Sequence, residues 1–307
     1  MKAVISNKTL TEIMLFLVDH GETATINHYG FALDTLNRYR RQYKFDRRMI
    51  PKVLLLDIET APMKVLSWSL FRPYLSHENI IEKGFILSWS AKWLFSSEIM
   101  GDVITPKEVK TGNDKRISQS IWELLNDADV IIGHNVRKFD IKWLNTEFII
   151  NGLKPPMPYQ TIDTLIEARK YFKFPSNRLD YLGKIMARKG KMETAYKLWK
   201  ECLNGNKESL DYMLKYNKED VLLLEDVYIE LRPWIKSHPN MGLYIDAEDN
   251  VCGNCGSENL LWEDKYYVTM ASKFAAYRCK DCGAISRCKT TALSKEQRKN
   301  LLVSVAR

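Results

Sequence analysis

The apolar and polar positions of this chain fall into patterns that change along its length. Val53-Leu-Leu-Leu56 is an unbroken apolar run bounded by Pro51 and by Ala61-Pro62, which predicts a buried central strand. Val130-Ile-Ile-Gly133 repeats it, followed by a turn at His134-Asn135 and a helix through Phe139, Trp143, Leu144 and Phe148. Between Leu210 and Leu231 the apolar residues stand at 210, 213, 214, 221, 223, 224, 227 and 231, a helical spacing. Ahead of the first strand, the dense apolar stretch Leu10–Val18 predicts a short core helix ending near Gly21, and residues 24–41 read as helix, turn at Gly30, helix. Near the other end, Leu260–Trp262, Tyr266–Thr269 and Phe274–Tyr277 predict three short strands. Trp68, Trp89 and Trp93 are assigned to early strands as packing residues.

Two breaks divide the pattern. Charge and proline in Asp46–Pro51 separate the helical start from the first strand, and Pro239, Asn240 and Gly242 interrupt the chain between Pro233 and Val251. Three parts are therefore expected: 1–48, 49–240 and 241–307. At 307 residues and 45% hydrophobic the chain can bury a sizeable core. Charge follows the same division: residues 1–50 hold eight basic and five acidic groups, 51–250 hold 28 of each, and 251–307 hold ten and five. The +8 excess thus lies in the flanks, as two nucleic-acid-docking appendages on a neutral core would place it. No run approaches a membrane span, and Met1–Lys8 lacks the apolar centre of a secretory segment, so a soluble, cytoplasmic protein is expected.

The carboxylates carry the chemistry. Strand periodicity puts Asp57 and Glu59 on one face, at the end of a run whose neighbours are apolar. Burying such a pair costs several kcal/mol unless cations neutralise it. Asp140 falls early in the helix after Gly133, and Tyr216 and Asp220, four apart, share a helix face.

The three stretches Leu-Leu-Asp57-Ile-Glu59-Thr, His134-Asn135-Val-Arg-Lys-Phe139-Asp140 and Tyr216-Asn-Lys-Glu-Asp220 resemble, in this order, the signatures of the DEDD superfamily of 3'-to-5' exonucleases in its tyrosine-containing branch. The likeness is closest to the proofreading domains of family B DNA polymerases and covers roughly residues 50–235. It implies an α/β, RNase H-like fold, a mixed sheet flanked by helices, and hydrolysis of a nucleic-acid strand from its 3' end with release of nucleoside 5'-monophosphates. It assigns Asp57, Glu59, Asp140 and Asp220 as metal ligands, Tyr216 as a further catalytic residue, and Asn135 with Phe139 to the terminal nucleotide. Tyr159–Leu165 and Asn177–Leu182 are similar to the strand and helix which that family places between its second and third motifs. Nothing suggests an attached polymerase, so a stand-alone nuclease is expected. An endonuclease on the same acids and a DNA-binding regulator that keeps the fold are the alternatives; the intact acids argue against the latter.

Phosphodiester hydrolysis explains the residue types. Two Mg2+ or Mn2+ ions about 3.5 to 4 Å apart activate water and stabilise the attacking and leaving oxygens, and carboxylates are the ligands such ions take. A phenol titrates near pH 10, so Tyr216 would orient the attacking water rather than deprotonate it; as a residue type it also suits a half-buried helix.

Cys252-Gly-Asn-Cys255 and Cys279-Lys-Asp-Cys282 are two C-x-x-C pairs with glycines at 253, 256 and 283, the spacing of one structural Zn2+ in a zinc ribbon. Two disulfides are the competing reading, disfavoured by the reducing location expected above. Four thiolates around Zn2+ would take about two charges from the C-terminal excess without changing its sign. Cys202 and Cys288 remain as free thiols, Cys288 being a substitute ligand should one of the four be misassigned.

The N-terminal pattern resembles a helix-turn-helix whose second helix, with Arg38, Arg40 and Arg41, would meet duplex DNA; a packing or protein-contact role fits the same pattern. Within the core, Lys184, Arg188, Lys189, Lys191 and Lys197 interleave with Tyr181, Tyr196 and Trp199, either a wall gripping single strands or a solvated helical face. DNA is favoured over RNA as the partner.

Overall fold

The computed structural model describes residues 13, 16, 17, 23–42, 51–71, 74–187, 195–245, 247 and 249–302. The chain divides into two compact units, Met1–Asp46 with Lys52–Tyr228, and Arg47–Pro51 with Ile229–Arg307. Among the described residues no helix is long and apolar enough to cross a membrane.

The first unit is built on strands β1 (Val53–Thr60), β2 (Lys64–Val65), β3 (Ile80–Glu82), β4 (Ile86–Trp93), β5 (Met100–Val103), β6 (Val130–Gly133) and β7 (Gln160–Asp163). Five of them form one sheet in the order β5-β4-β1-β6-β7, while β2 and β3 pair separately. β1 runs antiparallel to β4 and parallel to β6, and β7 continues the parallel side, so the sheet is mixed. Val53, Leu54, Leu55, Leu56 and Ile58 are all buried, the burial on both faces that a continuous apolar run requires when helices cover both sides.

Helices among the described residues include α1 (Leu33–Gln42), α2 (Pro106–Thr111), α3 (Lys115–Asp127), α4 (Asp140–Ile150), α5 (Thr164–Tyr171), α6 (Leu179–Met186), α7 (Tyr196–Leu203) and α8 (Lys207–Leu231), with α9 (Lys295–Lys299) near the end of the chain. α3 buries Ile117, Ile121 and Leu125, one helical stripe, against the sheet core. α2 starts with a capping box between Thr105 and Glu108, carries Pro106 in its first turn and stops at Gly112, whose φ is +60°. α8 contributes Leu210, Met213 and Tyr216 to the same core. Farther along α8, Glu225 pairs with Lys92 of β4 and accepts the Phe95 N–H at 2.9 Å. Both residues of this ion pair are buried.

The N-terminal residues that are described are helical on both sides of Gly30, whose φ is +66°. Ile13, Leu17 and Leu36 form a small core there with Ile26, Tyr29, Phe31 and Tyr39. Arg38, Arg40 and Arg41 lie on α1, but their side chains fall outside the described residues, as do Gly21 and the basic positions Arg188, Lys189 and Lys191. Two other lysines of that stretch are engaged locally: Lys184 with Asp180 at 2.8 Å and Lys197 with Glu201 at 3.4 Å.

Trp68 departs from the sequence reading. It lies in no strand but in the segment between β2 and β3, fully exposed, while Trp89 is buried and Trp93 packs on the core. Ser67 and Ser69 each accept the N–H two residues ahead and return a bond to that residue's carbonyl, so the backbone here is satisfied by local turns rather than by a sheet.

The second unit holds β8 (Leu260–Val268), β9 (Lys273–Cys279) and β10 (Ile285–Arg287), an antiparallel sheet in the order β10-β9-β8. The two strands expected at 260–262 and 266–269 are one strand. Glu263-Asp264-Lys265, which lies between them, is an irregularity in the pairing, with Asp264 at φ +52°. β10 had no apolar run to announce it.

Candidate functional site

The acids of the first unit meet because β1 and α8 bring them together. Asp57 and Glu59 leave the same face of β1, opposite Ser90 and Ser88 of β4, and α8 presents Asp220 to them. One carboxylate oxygen from each of Asp57, Glu59 and Asp220 falls within 4.8 Å of the others. Asp57 and Glu59 are half-buried and Asp220 is 2% exposed. Unit negative charges about 4 Å apart repel by about 4 kcal/mol per pair at an effective dielectric of 20. Oxygens sharing one Mg2+ stand roughly 3 to 4 Å apart, from Mg–O distances near 2.1 Å. The donor set, hard oxygens at that spacing in a site needing positive charge, fits divalent cations.

Asn217 completes this arrangement and was missed in the sequence. Fully buried on α8, it donates from Nδ2 to Asp57 Oδ2 at 2.6 Å, and its Oδ1 lies 3.4 Å from the Ser88 hydroxyl. Its position three residues before Asp220, on the same helix face, was the available signal.

Asp140 stands beside the cluster rather than in it. On β1, β6 reaches only Val53–Leu55, so β1 outruns its parallel neighbour, and Asp140 Oδ1 accepts the Ile58 N–H at 3.1 Å. The carboxyl is buried, which pushes it up to about 7, with backbone hydrogen bonds opposing and the nearby Asp163 adding to the rise.

Asp163 is a second residue that the motifs did not reveal. It caps α5 by accepting from Leu165 and Ile166, and the same carboxylate takes the N–H groups of Asn135 at 3.0 Å and Arg137 at 3.2 Å. It thereby holds the turn that delivers Asp140. Asn135 adopts φ +71° in that turn, a conformation asparagine tolerates better than most side chains. His134 bonds through one ring nitrogen to Thr164 Oγ1 and through the other to the Asn177 carbonyl, both at 2.9 Å, so it ties segments together. Phe139, 37% exposed, precedes Asp140 with its ring centroid 6.3 Å from that of Trp143. Tyr216 is 4% exposed, its ring part of the core.

In the second unit the four expected cysteines converge. Sulfur atoms of Cys252, Cys255, Cys279 and Cys282 lie within 4.8 Å of one another, with Cys252 to Cys282 at 3.7 Å and Cys255 to Cys279 at 3.5 Å. Tetrahedral thiolates on a 2.3 Å metal–sulfur bond stand about 3.8 Å apart, whereas a disulfide needs about 2.05 Å. All are free thiols, and the group fits one metal ion. Two matching knuckles shape it: Gly256 N–H donates to the Cys252 carbonyl at 2.7 Å and Gly283 N–H to that of Cys279 at 2.9 Å, with φ of +80° and +75°. Within the same unit, Arg232 and Asn254 are linked by three hydrogen bonds, fixing the first knuckle. Close thiols share protons: Cys252 is driven down by Cys255 and Cys282, which are themselves driven up. Cys288 stands outside the group, and burial raises the Cys202 thiol to about 12.

A family model described as the RNase_H superfamily matches residues 101–232, from β5 through the end of α8. With the mixed sheet and its flanking helices, that match decides the fold. The core is an RNase H-like domain. The matched span contains Asp140 and Asp220, and β1 with Asp57 and Glu59 precedes it. No curated protein matches the chain. The RNase H-like fold points to nuclease-type hydrolysis of nucleic acid, and nucleases of this kind use divalent metals. Among the described residues, the acidic cluster and the cysteine cluster are the groups that could hold metal ions.

Proposed function

We propose that the chain is a metal-dependent 3'-to-5' exonuclease of the tyrosine-containing DEDD type, acting on DNA and releasing nucleoside 5'-monophosphates. The observation that carries this reading is the convergence of Asp57, Glu59 and Asp220 on one point from segments some 160 residues apart. When bound, two Mg2+ or Mn2+ ions supply activation of water and stabilisation of charge on the attacking and leaving oxygens. Asp57, Glu59 and Asp220 would hold them, with Asp140 as fourth acid. Asn217 fixes the Asp57 carboxylate by its hydrogen bond. Asp163 and Asn135 set the turn that positions Asp140. The Tyr216 hydroxyl would orient the attacking water, and Phe139 and Asn135 would contact the terminal nucleotide.

The flanks complete the reading. Cys252, Cys255, Cys279 and Cys282 would hold one structural Zn2+, a closed thiolate site with no position for substrate. Residues 1–48 would dock duplex DNA through a helix-turn-helix bearing Arg38, Arg40 and Arg41, residues 49–240 would form the exonuclease, and 241–307 the zinc ribbon and tail.

The test is a polarity assay on 5'-labelled and 3'-labelled strands, DNA and RNA, with Mg2+ or Mn2+. A 5'-labelled strand that shortens stepwise supports the reading; internal cuts of defined length point instead to an endonuclease. Binding without cleavage under either metal points to a regulator. Tyr216→Phe keeps the buried ring and removes only the hydroxyl, so a loss of rate without a change of Tm isolates its contribution.

A further inference from the structure

We propose that the β8–β9–β10 hairpin is a single-strand nucleic-acid platform, with Tyr267, Phe274 and Arg287 stacking against unpaired bases. The core of this unit is small, gathered around Cys252, Cys279 and Ala284 with Leu260, Cys255 and Cys282 packed on it. β8 begins at that core, with Leu260 opposite Cys279, and runs away from it to Val268 opposite Lys273. At about 3.3 Å per residue it extends about 25 Å, far beyond what the cysteine cluster can cover. Every residue of β8 after Leu260 is exposed, including Trp262, Tyr266 and Tyr267 at 47%, 37% and 53%.

The register gathers aromatic and basic side chains on this exposed sheet. Tyr267 pairs with Phe274, and Arg287 of β10 pairs with Ala276, two residues along β9 from Phe274 and on the same face. The Arg287 guanidinium carbon stands 4.3 Å from the Phe274 ring centroid and 5.4 Å from that of Tyr267. On the opposite face Lys273 Nζ lies 4.8 Å from the Tyr266 centroid. Arg278 is neutralised by Glu263 at 2.7 Å, but among the described residues no carboxylate pairs with Arg287 or Lys273. A guanidinium already layered on two rings keeps donors for phosphate and a flat surface for a base. Residues 251–307 also carry ten basic against five acidic groups. Aromatic faces interleaved with cations that no carboxylate neutralises match unpaired bases on a phosphate backbone better than a protein surface, which would favour the rings without the charges.

This inference stands apart from the catalytic reading and is tested where no strand can be cut. In the full chain carrying Asp57→Asn and Asp220→Asn, fluorescence anisotropy is measured with labelled dT20, U20 and a 20-base-pair duplex. Tyr267→Ala with Arg287→Ala is expected to weaken dT20 or U20 at least tenfold, the loss that one or more stacked bases produces, with duplex binding changed less than threefold. The DNA and RNA arms tell which strand is held. Arg287→Lys keeps the charge and loses the plane, so it should recover less than half of the lost binding energy. Loss below threefold on both single strands overturns the proposal, as does displacement of dT20 by polyglutamate at equal charge concentration. Bound metal per chain is measured alongside; should the double variant lose it, Arg287→Lys decides, with a threefold or larger loss expected and an unchanged affinity overturning the platform.

Discussion

Asp140→Asn should stabilise the chain free of Mg2+ and Mn2+ at pH 8 while abolishing its activity. The Asp140 carboxyl is buried against Ile58 and ionises near 7, against 3.8 as its ordinary value. A proton held more tightly in the folded chain makes stability fall as pH rises between the two values. The contribution is full below 3.8 and is lost through 7, about 1.4 kcal/mol per pH unit and about 4 kcal/mol in all. Asparagine keeps an oxygen for the Ile58 N–H and never ionises, so it removes the slope without emptying the site. The assay is urea unfolding at pH 5 and pH 8 in buffer without added divalent ions and without chelator. The wild type should lose stability between the two, and the variant should gain at least about 2 kcal/mol over it at pH 8. A variant less stable than wild type at pH 8, or an identical pH slope in both, would refute the reasoning.

Other perturbations follow from the same geometry. Glu225→Ala leaves Lys92 buried without its carboxylate and should cost about 3 to 5 kcal/mol in urea unfolding, whereas Glu225→Ala with Lys92→Met should recover most of it. Gly133→Ala brings a Cβ to 2.5 Å from Val136 Cβ and 3.1 Å from the Leu56 carbonyl, at the turn leading to Asp140. It should lower cleavage at least tenfold with the metal dependence retained, measured on a 5'-labelled strand. If the four cysteines hold Zn2+ as proposed, Cys279→Ser should remove that zinc, seen by atomic emission, and expose 229–307 to limited proteolysis while 52–228 stays protected.

The sequence was informative where chemistry and periodicity coincide. β1 and β6 were legible because unbroken apolar runs ending in a carboxylate or a turn glycine have few other structures open to them. Asp57 and Glu59 share a face because a strand repeats every two residues, and the four cysteines converge because each pair is pre-bent by a glycine. Asn217 and Asp163 were harder to read for a different reason. Each acts by a hydrogen bond to a residue far away in sequence, Asn217 to Asp57 and Asp163 to Asn135, and their own neighbourhoods look like ordinary helix and strand end. Trp68 was assigned to a strand as a packing residue, but the serines on either side of it satisfy the backbone in turns. β8 was read as two strands, yet a strand with both faces exposed tolerates the charges of Glu263-Asp264-Lys265 and a bulge. Asp140 was placed correctly at the helix start, but its bond to Ile58 depends on β6 ending before β1, which no local pattern encodes.

The most direct test of the central claim is the identity of what is released from a single-stranded oligonucleotide in 18O-labelled water with Mg2+ or Mn2+, followed by mass spectrometry. The account predicts nucleoside 5'-monophosphates carrying one labelled oxygen, accumulating from the 3' end, and none from Asp57→Asn or Asp220→Asn. Release of 3'-phosphorylated products, or the same yield from either variant as from wild type, would contradict it.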